Sequence, residues 1–349
     1  MNAFERVKAT LAGQPVDHTP NFDIIMGFGA HWIGEVLSQY YLDHRVLASA
    51  NLAVWHEFEL DILQAISDPY REAADLGLVV DFPEDGLPLR RQPLLTDPGD
   101  LRRLHAPDPG LGRRMSDRLE GVQALRQAAH GEVPVMGWVE GALALANVLR
   151  GDSALMLDFY DRPEWVEELL ELAVEIEIAF ASAQVAAGAD IIGLGDAIAS
   201  TLSPRMYETF ALPYERRIFE AVHAQGALAR LHICGNTTRL LPLMAQSGAD
   251  IIDVDWMVDL SLAARTFAGG PALCGNFDPV RIMLQGTPEE VTRAVLDCQA
   301  VGGDGHTLAP GGLVQWSGRY FSAAGCEIPD GTPSANLKVQ ARALKAASD

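Results

Sequence analysis

The segments AAGADIIGLGD (residues 186–196) and QSGADIIDVDW (residues 246–256) repeat one pattern. Each begins at the end of a helical run, turns at a glycine, continues as an apolar stretch and finishes in acidic residues. Short apolar runs between helices are typical of parallel strands that helices cover on their outer side. The repeat therefore predicts successive βα units.

The same alternation extends over the whole chain. It predicts eight strands, at residues 19–26, 60–67, 134–140, 189–196, 228–235, 249–256, 271–277 and 319–326. Helix start signals lie between them, such as Ser203-Pro204 and the capping box of Thr287 and Glu290. Because no Pro-, Gly- or Ser-rich linker interrupts the pattern, we expect one (β/α)8 barrel domain over residues 1–349 with an N-terminal helical extension. A doubly wound open sheet is the alternative.

Composition excludes several classes of function. The chain has 349 residues, 48% of them hydrophobic, and a formal net charge of −21. A field of this sign repels phosphate backbones and anionic lipids, so we expect no nucleic-acid and no membrane partner. The first twenty residues lack the apolar stretch of a signal peptide, which favours a soluble cytoplasmic protein. Its 4 cysteines do not indicate a disulfide scaffold.

The segment ARLHICGN (residues 229–236) places a histidine and a cysteine two apart at a strand end. Side chains at this spacing in a strand share one face, so His232 and Cys234 converge. Cys326, in AAGCEIPDGTP, is expected at the same carboxyl-terminal mouth of the barrel. One imidazole and two thiolates would bind a catalytic zinc ion with an open fourth position. A packed core pair, or a nucleophilic Cys234 with Asp196 and His232 as base and orienting group, remains the alternative.

Further candidates lie at predicted strand ends. Glu140 and Asp196 are the candidate catalytic carboxylates, and a helix cap is the alternative role for each. An aromatic pocket suits an apolar or aryl substrate. The substrate-binding candidates are therefore Phe28, Trp32, Trp138 and Trp256, together with Asn276, for which fixing a loop backbone is the alternative. The long segment at residues 306–320 is a candidate substrate lid, and Cys274 and Cys298 are assigned to packing.

Three motifs carry a family resemblance. LHICGN (231–236), GNFDP (275–279) and GCEIPDGTPSANLKV (325–339) resemble the uroporphyrinogen decarboxylase superfamily, in particular its zinc-dependent, corrinoid-linked methyltransferase branch. The resemblance implies a (β/α)8 barrel, zinc ligands at His232, Cys234 and Cys326, and a cobalamin cofactor carried by a separate corrinoid protein. The decarboxylase itself is disfavoured, because no arginine that would hold a polycarboxylate occurs between Arg6 and Arg45.

The branch includes two directions of chemistry. In one, a methyl ether or similar O-methyl donor gives its methyl group to cob(I)alamin; in the other, methylcobalamin methylates a thiol such as coenzyme M. The aromatic candidates and the high negative charge favour the O-methyl donor, with the thiol as the alternative. A decarboxylase-like enzyme and a non-catalytic binding barrel stay open, as does a homodimer.

Overall fold

The computed structural model describes residues 1–303, 306–308, 314–316 and 318–346. Its strands are β1 (Leu63–Gln64), β2 (Val80–Asp81), β3 (Leu89–Arg90), β4 (Val135–Glu140), β5 (Ile191–Gly195), β6 (Leu228–His232), β7 (Ile251–Asp253), β8 (Ala272–Cys274), β9 (His306–Leu308), β10 (Val314–Trp316) and β11 (Tyr320–Phe321).

Helices separate these strands. They are α1 (Ala3–Leu11), α2 (Gly27–Trp32), α3 (Leu37–Leu42), α4 (His44–Phe58), α5 (Arg71–Asp75), α6 (Arg113–Ala129), α7 (Ala142–Arg150), α8 (Asp152–Asp161), α9 (Pro163–Ala187), α10 (Pro204–Phe210), α11 (Leu212–Ala224), α12 (Leu241–Met244), α13 (Leu260–Thr266), α14 (Pro288–Gly302) and α15 (Ser334–Ala346). Short 3₁₀ segments cover Pro98–Arg103 and Ala197–Thr201, and Pro279–Leu284 forms a π-helical turn. The predicted starts at Ser203 and Thr287 are confirmed as helix caps.

Seven strands form one parallel sheet in the order β1-β4-β5-β6-β7-β8-β11. The segment around Asn21 closes it. Phe22 N donates to Ser322 O at 2.8 Å beside β11, and Asp61 N donates to Asn21 O at 2.9 Å beside β1. The closed sheet with its outer helices is a (β/α)8 barrel, so the open-sheet alternative is excluded. The antiparallel pairs β2–β3 and β9–β10 were not predicted.

The first predicted strand, at residues 19–26, is reduced to an isolated bridge between Asn21 and Ser322. Side chains of other segments make hydrogen bonds to backbone groups of this segment. Asn21 N donates to Asp61 Oδ2 at 2.7 Å, and Gln64 Nε2 donates to Asp23 O at 2.6 Å. These side chains satisfy backbone groups that a regular ladder would otherwise pair, and the backbone pairing is limited to a few bonds.

The barrel interior is an apolar layer that separates the two ends of the barrel. Ile251, Met136, Phe22 and Phe321 are fully buried and belong to one cluster there. Helix α1 covers the amino-terminal end of the strands, where Val7 joins the same cluster. The opposite, carboxyl-terminal end is left for chemistry, as is usual in such barrels.

The lid predicted at residues 306–320 lies partly outside the described residues. Its flanks lie at the amino-terminal end of the sheet, because Gly303 precedes β11 and Arg319 donates to Gly270 O just before β8. The flanks are thus at the end of the barrel opposite His232. Among the described residues, no helix is both long and apolar enough to cross a membrane.

We predict that Ile251→Ala lowers the free energy of unfolding by about 2–5 kcal/mol, because it leaves a cavity in a closely packed layer. Val79→Ala, at a side chain that is 58% exposed, is the matched control and should change it by less than about 0.5 kcal/mol. Denaturant titration measures both. Equal effects would contradict a packed barrel interior.

Candidate metal centre

Three predicted ligands meet at the carboxyl-terminal end of the barrel. His232 is the last residue of β6, Cys234 follows two residues later, and Cys326 comes after β11. His232 Nε2 lies 3.0 Å from Cys234 Sγ and 3.9 Å from Cys326 Sγ, and the two sulfur atoms are 3.6 Å apart. Cys326, about ninety positions further along the chain, thus brings its sulfur atom to the same point as the His232 nitrogen and the Cys234 sulfur.

These distances fit a tetrahedral zinc ion. Typical Zn–S and Zn–N bond lengths place two thiolate sulfurs about 3.8 Å apart and a sulfur about 3.6 Å from the imidazole nitrogen. The three observed separations scatter around these values. Two thiolates and one imidazole are also a donor set that prefers zinc over magnesium or calcium. With three protein ligands, a fourth position remains for a substrate.

The protons of the cluster show what a metal ion would displace. A hydrogen bond from Cys234, together with the charge of His232, lowers the pKa of Cys326 to about 4. The same bond to Cys326, and burial, raise the pKa of the Cys234 thiol. Burial alone would lower the pKa of His232, but the cysteines and Asp253 raise it. A bound cation would replace these protons, because metal ligands must be deprotonated.

A buried ion pair supports the imidazole from below. His232 Nδ1 lies 2.9 Å from Asp253 Oδ2, and Arg230 Nε donates to both oxygens of Asp253 at 2.9 and 3.1 Å. Burial would raise the pKa of Asp253, but Arg230 and His232 lower it to about 2. A charged carboxylate on Nδ1 leaves Nε2 facing the thiols, which is the usual outer-shell arrangement of a metal-bound histidine.

Backbone constraints hold the two cysteine loops. A Cβ added to Gly325 would lie 2.2 Å from the backbone nitrogen of Trp256, so only glycine fits directly before Cys326. After Cys234, Gly235 has a φ of +88° and donates its N–H to Asp255 Oδ2 at 2.9 Å. Loop glycines therefore place both sulfur atoms.

A cavity of about 180 Å³ opens beside the ligands. Besides His232, Cys234 and Cys326, two further predicted residues line it: Trp138, 4% exposed, and Glu140. Trp138 Nε1 donates to Glu140 Oε1 at 3.3 Å, and the indole lies 6.2 Å from the imidazole of His232, measured between ring centres. The indole thus lies between the Glu140 carboxyl and the imidazole of His232. We call this cavity the chamber.

Glu140 lies at the edge of a buried group of acids that share one cation. Its Oε1 accepts from Arg71 Nη2 at 2.9 Å, and Arg71 also contacts Glu72. Burial raises the pKa of Glu140 to about 7, although Arg71 opposes the shift. Burial and the charge of Glu72 raise the pKa of the neighbouring Glu177 still further. Glu140 can therefore hold or release a proton near neutral pH.

Asp196 follows β5 but does not line the chamber. It is fully buried, and a Cβ added to Gly141 would lie 2.4 Å from its Oδ2. Burial and the nearby Glu215 raise its pKa well above the usual range. It makes no cap bond to the segment that follows it. The structure places this carboxyl beneath the first turn of α7, apart from the three ligands.

Four predicted substrate-binding residues also lie outside the chamber wall. Phe28 stacks on Trp32, with ring centres 5.9 Å apart, and packs against Phe58 in an apolar cluster separate from the barrel interior. Trp256 is 45% exposed at the rim. Asn276 Nδ2 donates to Asp255 O at 3.0 Å and to Val258 O at 2.7 Å, which is the backbone-fixing alternative.

Sequence inspection assigned no role to three residues of this site, of which it had placed only Asp253 at a strand end. Glu327 lines the chamber next to Cys326 and accepts from Gly27 N at 3.0 Å. Asp253 orients His232, and Arg71 pairs with Glu140. The strand register carried a signal for Asp253 alone, since it lies opposite His232 in the neighbouring strand. Cys274 and Cys298 lie outside the ligand cluster, as expected.

The chain is similar to two groups of known enzymes. A family model described as uroporphyrinogen decarboxylase (URO-D) matches residues 2–347. Methylcobamide:CoM methyltransferase MtbA of Methanosarcina mazei is 33% identical over 66% of this chain and 64% of its own length. MtbA of Methanosarcina acetivorans is 29% identical over 98% and 97%. A uroporphyrinogen decarboxylase of Streptomyces avermitilis is 34% identical over 67% and 66%.

The fold has a close counterpart among solved structures. A methyltransferase from Methanosarcina mazei superposes with a TM-score of 0.87 over 99% of both chains at 22% sequence identity. At this identity the likeness shows the shared barrel alone.

We predict that Cys326→Ala abolishes stoichiometric zinc binding and leaves the barrel folded, because the ligand cluster lies on loops above the apolar interior. Cys298→Ala, outside the cluster, is the control and should keep its zinc. Metal analysis and thermal unfolding of the same samples test this. Unfolding of the Cys326 variant alone would instead indicate a structural metal.

We predict that Asp253→Asn weakens zinc binding by about 10–100-fold, because a neutral amide orients and polarises His232 less well. Competition with a chelator measures the affinity. An affinity equal to that of the wild type would contradict the supporting role of Asp253. Unfolding must be followed in parallel, since the variant also leaves Arg230 without its charged partner.

Proposed function

This chain belongs to the uroporphyrinogen decarboxylase family, and we propose that it is a zinc-dependent methyltransferase that moves a methyl group between a small molecule and a corrinoid held by a separate protein. The observation that carries the proposal is the His232–Cys234–Cys326 cluster in the wall of the chamber. The two MtbA relatives, named as methylcobamide:CoM methyltransferases, support it.

The chamber does not suit the decarboxylase reaction. Uroporphyrinogen carries several carboxylates, and burying them requires cationic partners. Among the described residues, no lysine or arginine lines the chamber, and its wall carries Glu140 and Glu327 instead. The family match alone therefore does not transfer decarboxylation to this chain.

Bound at this site, zinc would supply a Lewis acid with one open coordination position. The protein's own residues perform the other tasks. Asp253 holds the imidazole of His232 in the orientation that presents Nε2 to the ion. Trp138 and the apolar wall keep bulk water from the reacting atoms. Glu140, which lines the chamber and has a pKa raised to about 7, would accept a proton from the substrate.

The MtbA relatives favour a thiol as the methyl acceptor. In that direction the S–C bond forms as the Co–C bond of methylcobalamin breaks, the bonding electron pair stays on cobalt, and Co(III) becomes Co(I). The thiol proton leaves to the Glu140 carboxylate. Methylcobalamin and the thiol are thus the only two reactants that the step requires.

An O-methyl donor is the second candidate. Most of the chamber wall is apolar and includes Trp138, which suits a neutral ether. However, the aromatic argument is weaker than the sequence indicated, because Phe28, Trp32 and Trp256 do not line the chamber. We therefore place the thiol first.

We predict that the zinc-loaded protein demethylates methylcobalamin when a thiol is added, and that His232→Ala or Cys234→Ala abolishes this reaction in a folded protein. The absorbance change from methylcobalamin to cob(I)alamin under anaerobic conditions reports it. Methylation of cob(I)alamin by an ether panel, without thiol-dependent demethylation, would support the second candidate. Neither reaction, with zinc bound, would overturn the proposed function.

A further inference from the structure

We propose that the small molecule that exchanges its methyl group in the chamber carries no anionic group beside its reacting atom, so that its substituent is neutral or cationic. The inference rests on the proposed methyl transfer and concerns the class of substrate. It departs from a sulfonated thiol such as coenzyme M.

The wall of the chamber offers no positive charge to an anion. Its charged residues are Glu140 and Glu327, and the others are apolar, small or metal-ligating: Ile24, Met26, Ile66, Ser67, Pro69, Trp138, Gly195, Ala197, His232, Cys234 and Cys326. The residues outside the described part of the chain contain no lysine and no arginine. They therefore cannot supply a missing cation of that kind.

Two buried cations near the chamber, Arg71 and Arg230, are already paired. Arg71, 0% exposed, lies behind Glu140 and also contacts Glu72. Arg230, 1% exposed, lies below the ligands and pairs with Asp253. Asp253 lies between Arg230 and the imidazole of His232, and Arg71 reaches the chamber wall through Glu140 Oε1 at 2.9 Å and Ser67 Oγ at 3.4 Å. Arg205, Arg239 and Arg281 are exposed to solvent and do not line the chamber.

The two carboxyl groups can instead receive a donor. Glu327 accepts from Gly27 N through Oε1, and Glu140 accepts from Arg71 and Trp138 through Oε1. The backbone of Met26 is a further donor to the Glu327 carboxyl. A carboxylate has about four acceptor positions, so each side chain keeps capacity for a donor of a bound molecule. A hydroxyl or ammonium group of a bound molecule would find these acceptors, and an ammonium would also face the indole of Trp138.

The net charge of the zinc centre indicates which substituent on the substrate is favoured. A zinc ion with two thiolates and a neutral imidazole has no net charge, so a bound substrate thiolate makes the centre negative. A sulfonate on the same molecule would add a second negative charge in a mostly apolar cavity, facing Glu140 and Glu327 without a partner. An ammonium would reduce the imbalance, and a hydroxyl would leave it unchanged.

A series of two-carbon thiols tests the inference by binding. Calorimetry on the zinc-loaded protein, at a pH above the Glu140 pKa of about 7 so that this carboxyl is mostly ionised, gives dissociation constants for 2-aminoethanethiol, 2-mercaptoethanol and 2-mercaptoethanesulfonate, which share one chain length. We expect 2-aminoethanethiol to bind about 10-fold or more tightly than the sulfonate, because opposite charges face the same carboxyl groups. The neutral thiol should lie between them.

The acidity of the thiol group also differs along this series and could alter binding. Variants of the wall residues separate that effect from the effect of the wall charge on the dissociation constants. Glu327→Gln keeps the acceptor for Gly27 but removes the charge, so it should reduce the ratio of the two dissociation constants by about 3-fold or more. Glu289→Gln, exposed on the outer helix α14, makes the same change and should leave the ratio unaltered. Glu140→Gln is the second variant if Glu327→Gln loses its zinc.

The possible outcomes distinguish the two proposals. Equal or tighter binding of the sulfonate, with thiol-dependent demethylation of methylcobalamin, would overturn this inference and leave the proposed function intact. A ratio that Glu327→Gln and Glu140→Gln both leave unchanged would also overturn it. If no thiol binds and none accepts a methyl group, both the inference and the thiol direction fail.

Discussion

The line of contacts from Arg230 through Asp253 to His232 is the interaction on which the site depends. Arg230 and Asp253 lie in neighbouring strands near the apolar layer of the barrel, and Arg230 Nη2 also donates to Phe22 O at 3.1 Å in the segment that closes the sheet. Removing one partner of a buried ion pair typically costs about 3–5 kcal/mol, because the other charge is left unpaired. The same contacts that join the strands therefore fix the imidazole of His232.

The acids around Arg71 impose a second constraint on the chemistry. Glu72, Glu140 and Glu177 are buried near one guanidinium, and burial raises the pKa of each. One cation does not neutralise three ionised carboxylates in a medium of low dielectric constant, so protons are retained within the group. Glu140, the member that reaches the chamber, thus belongs to a coupled set. Its ability to accept a proton depends on residues that never contact the substrate.

Sequence periodicity predicted the barrel because each strand is apolar on both faces and each helix has a local start signal. The seven regular parallel strands all fall within predicted ranges. Sequence periodicity did not predict that residues 19–26 form only an isolated bridge. There, side chains such as Gln64 and Asp61 bond the backbone, and such long-range bonds leave no local sequence pattern. The convergence of His232, Cys234 and Cys326 was predictable from residue type and strand-end position. The aromatic residues were not, because position in the chain does not determine whether a side chain such as Phe28 faces the barrel axis or the outer helices.

The relatives named as methyltransferases and as decarboxylases share one family model with this chain, so the barrel alone does not specify the reaction. The difference in reaction between these relatives must therefore come from the side chains at the carboxyl-terminal mouth of the barrel. Here a cluster of soft ligands lies beside two carboxyl groups, and the nearby arginines are neutralised from behind. A polyanion would find no partner in this chamber, whereas a metal ion and a small neutral or cationic molecule would. The arrangement of charge around the ligands, more than the ligands themselves, therefore limits which molecules can exchange a methyl group here.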